Sequence, residues 1–390
     1  MTRPLVSLTR RNSRRETVAA ALEAVASQID LRGVRQILVK PNLVTPDRQL
    51  AATHVDAVRA VLDFLRARYD GPIVVAEGSA FRDTWTAFAN YGYLSLPEEY
   101  DVVLMDLNGD ETVPVTVYDR RWRPRTLRVA WTVVESDFRV SVCPPKTHDT
   151  VLVTLTVKNM VMGALVNPGA VREGTNAALY RAGRRLPTWL KRTPPAQLAK
   201  QVLSSSRSDK MAMHQGIPVI NVNLALVACA VWPHLAVIDG WEGMEGAGPG
   251  HGEAVPWRIA LAGTDPLAVD ALTAFLMGFD PREVGYFNYC ALLGLGVAEP
   301  TQVEVVGDLL PDAVRRPFRP HPTVEAQRRW RTPEAERYLR ALGAAAAAGG
   351  GGRSRIPPGI HPPPGKRPTH PTHSPPGKRP THPTRSPPGR

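Results

Sequence analysis

The feature that most constrains this 390-residue chain is an alternation: short apolar runs, each ending in a polar cluster, are separated by stretches of helical spacing. Strands buried on both sheet faces read as continuous apolar runs, whereas a helix packed on such a sheet shows one apolar stripe. Residues 34–39 (VRQILV) predict a strand ending at Lys40-Pro41-Asn42, and residues 54–69 set Val55, Val58, Leu62 and Leu65 on one helical face. A strand over 72–76 ends at Glu77-Gly78-Ser79. Residues 101–106 (DVVLMD) and 138–143 (FRVSVC) predict further buried strands, with hairpin-like pieces near 113–130 between them. Residues 235–239 and 259–262 flank a Gly-rich loop, 265–277 and 281–293 have helical spacing, and 303–306 is a closing strand. The expected fold class is therefore α/β, a mostly parallel sheet flanked by helices. Ligands of such sheets bind beyond the carboxyl ends of the strands, where loop amides and helix N-termini converge.

A net charge of +12 suggests a polyanionic partner until its distribution is considered. Residues 1–15 hold five Arg and no acid, and residues 353–390 hold eight Lys or Arg and no acid. Residues 16–352 are left with 35 basic and 36 acidic side chains. This pattern divides the chain into a basic N-terminal arm (1–15), an α/β domain (16–342) and a tail (343–390). The near-neutral core argues against nucleic acid as its partner. The tail runs from Ala/Gly into a 12-residue repeat marked by Gly365, Gly377 and Gly389, a Pro-rich composition that cannot form a core and is expected to be disordered. Inside the domain, residues 172–210 carry nine basic and two acidic side chains, a basic insertion placed to overhang a site. Cys143, Cys229 and Cys290 are far apart and odd in number, which fits a reducing, cytoplasmic setting and neither a disulfide framework nor a cysteine-only iron–sulfur site. Arg14-Arg15 is followed by Glu23, Gln28 and Asp30 at amphipathic spacing, unlike an export signal. No charge-free apolar run reaches about 18 residues, so no membrane span is expected.

The densest polar cluster is Cys143-Pro144-Pro145-Lys146-Thr147-His148-Asp149, followed by an apolar run over 151–157 and then Lys158-Asn159 and Gly163. Read as an uninterrupted strand leading into Lys-Asn, this segment gathers donors on one rim. Lys40, Lys146 and Lys158 would supply charge to a small anion; Asn42, Thr147 and Asn159 would supply oriented hydrogen bonds; His148 or His214 would move a proton. Glu77, Asp239 and Glu245 would bind a divalent metal or orient those groups, and His251, with His148 or His214 from elsewhere, could join Asp239 and Glu245 as a ligand. The Gly-rich loop 241–252 permits close approach of a ligand, but it is neither a dinucleotide fingerprint nor a P-loop. Asp265-Pro266 reads as a helix cap. Asp270, beyond it, is a weaker candidate for a cleft-facing acid.

The order Lys40-Pro41-Asn42, Thr53-His54, Glu77-Gly78, Pro145-Lys146-Thr147-His148, Thr154, Lys158-Asn159, Gly163, His214, Asp239-Gly240, Met244-Glu245-Gly246, Gly248-Pro249, Thr264-Asp265-Pro266 and Val269-Asp270-Ala271 resembles the DUF362 family over about residues 34–307. The resemblance implies no defined activity. Many relatives look like iron–sulfur proteins through an appended ferredoxin-like region, but this chain has no C-x-x-C-x-x-C, so a 4Fe–4S cluster on its own cysteines is not expected. The leading expectation is an enzyme or ligand-binding protein for a small carboxylate or phosphate, with a divalent metal as an optional aid. The alternatives are a redox or metallocentre-handling protein working with a partner, and a nucleic-acid-binding protein using its basic termini.

Overall fold

A computed structural model describes residues 3–80, 83–167, 208–337, 339 and 340. The elements that position the site are, in chain order, β1 (Leu5–Thr9), α1 (Arg14–Ala24), β2 (Ile37–Lys40), α2 (Val55–Arg66), β3 (Ile73–Glu77), α3 (Thr84–Asn90), β4 (Val103–Asp106), the hairpin β5 (Thr112–Tyr118) and β6 (Pro124–Ala130), β7 (Phe138–Cys143), β8 (Lys146–Thr147), β9 (Val153–Thr154), α4 (Thr156–Ala164), α5 (Asp209–Ala212), α6 (Ile217–Val231), β10 (Leu235–Glu245), β11 (Glu253–Gly263), α7 (Pro266–Leu276), α8 (Gly285–Leu292) and β12 (Glu304–Gly307). A ten-stranded sheet runs in the order β12-β1-β11-β10-β7-β2-β3-β4, with β8 and β9 attached beside β10. Pairing is parallel from β10 through β7, β2 and β3 to β4 and again between β1 and β12. Only β11 runs antiparallel to its neighbours along that order. The sheet is mostly parallel and flanked by helices.

The period-2 pleat divides each apolar strand between two cores. Ile37 and Val39 of β2, Ile73 and Val75 of β3, and Val140 and Val142 of β7 join α1, α2 and α3 on one face. Leu38, Val74, Ala76 and Cys143 join α4, α6, α7, α8 and the β5–β6 hairpin on the other. Each such aliphatic side chain contributes ~1.5–3 kcal/mol on burial. The same parity carries Lys40, two residues after Leu38, beneath α4. Helix α1 opens with a capping box in which Ser13 and Glu16 each accept from the other's backbone N–H.

Three expectations change. Residues 5–9, assigned by charge to an arm, form β1 between β11 and β12, because Val6 and Leu8 are wholly buried. The apolar run 151–157 is not one strand: β9 ends at Thr154 and α4 starts at Thr156. The Asp270 carboxylate accepts from the Thr156 and Val157 amides and the Thr156 hydroxyl at 2.6–2.9 Å, a cap supplied from 114 residues away. Strands β10 and β11 are longer than predicted and reduce the Gly-rich loop to a hairpin turn. Helix α6 lacked a sequence signal because it is buried on nearly all sides and so shows no amphipathic period. Most of the basic insertion and the tail lie outside the described residues. Among the described residues no helix is long and apolar enough to cross a membrane.

Candidate functional site

At the carboxyl ends of β2, β3 and β7 the polar residues form a closed lattice under α4. The Lys40 ammonium donates to the Glu77 carboxylate at 2.7 Å, the Pro41 carbonyl at 2.8 Å and Asn159 Oδ1 at 2.9 Å, using all three of its hydrogens. Asn42 Nδ2 donates to the same Asn159 oxygen, and Lys146 Nζ donates to Asn42 Oδ1 and the Ala51 carbonyl. Asn159 Nδ2 returns to the Ser141 hydroxyl at 3.0 Å, and that hydroxyl donates to the Thr156 carbonyl at 2.8 Å. Glu77 also accepts from the Leu43 and Gly78 amides. Lys40 and Lys146 are fully buried. Burial lowers the pKa of both, that of Lys146 to about 7, while Glu77 counteracts the effect at Lys40.

Beside this lattice stand three groups with unspent hydrogen-bonding capacity. Lys158, 6% exposed on α4, has no hydrogen bond or ion pair among the described residues; burial lowers its pKa to about 8, with Lys40 adding repulsion and Asp149 opposing. His148 Nδ1 accepts from the Thr150 amide at 3.0 Å, which leaves the proton of the neutral ring on Nε2, and the Asp149 carboxylate stands 3.1 Å from the same Nδ1. His214 Nδ1 stands 3.1 Å from the Lys210 carbonyl, an acceptor only, so this nitrogen carries the proton and Nε2 is a free acceptor. Burial pushes both imidazoles below their ordinary range, and Lys158 pushes both further, which places the three side chains in one electrostatic neighbourhood. The neutral rings thus offer opposite faculties: His148 a donor, His214 an acceptor. The Thr154 hydroxyl, on the residue paired in register with Lys146, is also buried without a partner.

The family model described as a domain of unknown function, DUF362, matches residues 37–275, more than half of the chain. The chain belongs to the DUF362 family. It is similar to a thylakoid-associated protein of Synechocystis sp., 23% identical over 301 residues that span 77% of this chain and 76% of that protein. Among solved structures it is similar to the lactate racemase apoprotein from Thermoanaerobacterium thermosaccharolyticum, with a TM-score of 0.35 and 14% identity over 61% of this chain. That alignment spans half of the solved chain, and a likeness this slight carries no argument about chemistry.

In this DUF362 chain the predicted site residues part company. Lys40, Asn42, Lys146 and Asn159 come together, but as partners of one another. Thr147 is wholly buried and donates to the Gly246 carbonyl at 3.0 Å, and a side chain at Gly248 would collide with the Thr147 carbonyl. The Gly-rich loop therefore uses its glycines to lie against its own protein. Glu77, Asp239 and Glu245 do not converge. Glu77 is held by Lys40, Asp239 by Arg14 at 3.2 Å, and Glu245 accepts from the Arg319 amide at 3.0 Å. Among the described residues no cluster of three or more His, Cys, Asp or Glu is placed to hold a metal. His251 lies exposed on the hairpin turn. Asp265 caps α7 through the Ala268 amide, as its sequence context predicts. The three cysteines are free and buried.

Four contributors to the site had been assigned no role in it from the sequence. Ser141 is the small residue over which α4 crosses β7 and holds Asn159. At Gly163, one turn beyond Asn159, a Cβ would collide with the Lys40 ammonium and the Glu77 carboxylate, so the lattice needs glycine there. Gln327 pins the His148 turn by accepting from the Leu152 amide and donating to the His148 carbonyl at 2.8 Å. Lys210, counted with the basic insertion, is 2% exposed and donates to the Met162, Gly163 and Leu165 carbonyls at the end of α4. A signal was available. Only eight of the 48 basic residues are lysine, and every lysine among the described residues (Lys40, Lys146, Lys158, Lys210) is buried at this site, while the cations of the described surface are arginines.

Proposed function

We propose that this chain takes a small carboxylate or phosphate at the strand rim, with Lys158 as its cation and His148 and His214 as its acid–base pair. The observation that carries this reading is Lys158, a buried ammonium with no hydrogen bond or ion pair among the described residues, beside three more buried lysines. Glu77 is the only carboxylate hydrogen-bonded to any of the four lysine ammoniums among the described residues. An unpaired buried charge is costly, and an anion seated there removes that cost. The two neutral imidazoles then bracket the ligand with one donor and one acceptor, which is the equipment for moving a proton on it near neutral pH. The lattice beneath supplies rigidity, since all three Lys40 hydrogens and two of those on Lys146 are already committed. A cytoplasmic setting accords with buried free cysteines.

The test is calorimetric titration of the full-length protein with inorganic phosphate and with oxalate at pH 7. Wild type is expected to bind at least one of them. Lys158→Met is expected to abolish binding with an unchanged circular dichroism spectrum, and His148→Ala to weaken it. Wild-type affinity in both variants, or no binding by the wild type, sinks the site.

A further inference from the structure

The choice of lysine at this site carries a second meaning. A chain that uses 40 arginines and eight lysines meets nearly all its needs for positive charge with guanidinium, yet all four described lysines are at this site. Arginine stays charged and is not a nucleophile at physiological pH; a lysine amine can lose its proton when buried and attack an electrophile. For three of the four, structural duties explain the residue: Lys40 knits Glu77 to Asn159, Lys146 joins Asn42 to the Ala51 carbonyl, and Lys210 caps α4. Among the described residues Lys158 has no such duty. It sits on a helix fixed at its start by Asp270 and at its end by Lys210, so its amine is held in place without being spent.

We propose that Lys158 is a covalent nucleophile that forms an imine with the carbonyl carbon of a small 2-oxo acid. This rests on the anion site proposed above and names its substrate class. The bond that forms joins Nζ to the carbonyl carbon, and the carbon–oxygen double bond breaks. Two hydrogens of the Lys158 ammonium leave with the oxygen as water, and the third stays on nitrogen as the iminium, so the positive charge facing the carboxylate is kept. His214 Nε2, the free acceptor, takes each departing proton from nitrogen and passes it to oxygen. His148 Nε2–H holds that oxygen by a hydrogen bond as its charge develops. No oxidant or reductant is needed, and hydrolysis reverses the step.

The experiment is reductive trapping on the full-length protein. Wild type is incubated with pyruvate or glyoxylate and cyanoborohydride, with and without oxalate, then analysed by intact mass and peptide mapping. The expected result is one adduct on Lys158 that oxalate prevents and that Lys158→Arg removes. Adducts distributed equally over Lys191, Lys200, Lys366 and Lys378 overturn the proposal. Wild type that binds oxalate by calorimetry but yields no Lys158 adduct sinks the imine and leaves the anion site standing. Absence of both binding and adduct sinks both.

Discussion

The lattice of Lys40, Glu77, Asn42, Asn159 and Lys146 closes the carboxyl ends of β2, β3 and β7, while Lys158 on α4, His148 after β8 and His214 after α5 share one electrostatic neighbourhood. By residue type alone the two groups look alike, since each offers cations and polar groups withdrawn from water. They differ in how their hydrogen bonds are used. Every hydrogen of the Lys40 ammonium has an acceptor within 2.7–2.9 Å, whereas Lys158 has none among the described residues. A satisfied buried network specifies one arrangement and resists change, while an unsatisfied group stores free energy that a ligand can release. Burial and charge therefore do not by themselves separate the two groups; unspent valence does.

The largest effect expected from this contrast comes from Glu77→Ala. It leaves Lys40 buried and unpaired, and by the usual cost of breaking a buried pair should destabilise the fold by about 3–5 kcal/mol in urea denaturation. A loss under about 1 kcal/mol would mean that the lattice is not the scaffold. Lys158→Met should act in the opposite direction. Lowering its pKa from the ordinary 10.5 to about 8 costs the folded state on the order of 3 kcal/mol at neutral pH. The apolar variant should thus be as stable as wild type or more so, while losing oxalate.

The sign carries over to pH. Between about 8 and 10.5 the unfolded chain holds more protons at Lys158 than the folded one, so the stability contribution rises with pH across that window. Lys146 and Lys210, lowered to about 7, extend the rise downward. Denaturation midpoints of wild type should climb from pH 7 to 10, and those of Lys158→Met should climb less above pH 8; parallel curves would contradict the assignment.

Gly163→Ala comes next. In an ordinary helix interior the change gains up to about 1 kcal/mol, but here the added methyl meets Lys40 and Glu77 and should cost ~1–3 kcal/mol. A gain in stability would show that the lattice tolerates displacement. Smallest is Thr147→Val, which removes a hydroxyl that holds the Gly-rich hairpin turn. It should cost about 1 kcal/mol and leave oxalate affinity as it was. Lost affinity would return Thr147 to the ligand.

Much of the fold was legible because its signals are local. The strand at 138–143 coincides with β7, and the helix expected over 54–69 and the strands expected over 72–76 and 101–106 fall within a few residues of their predicted bounds. Where the sequence misled, the deciding partner was distant. The run 151–157 has strand-like composition, yet Asp270 turns its second half into the start of α4. Lys210 looked like a surface cation among eight others, yet it ends that same helix. The metal expectation for Glu77, Asp239 and Glu245 rested on donor type and order along the chain, and each acid instead met an arginine or lysine partner.

From the sequence alone came the α/β class, the strand ends on which the polar motifs sit and the family, since apolar period and motif order are properties of the linear chain. Which of those polar residues are spent and which are free was decided only by tertiary structure. Hydrogen-bond valence is filled by whatever the fold brings within about 3 Å. Lys40 and Lys158 are alike as letters, and only their neighbours make one a strut and leave the other without a partner among the described residues.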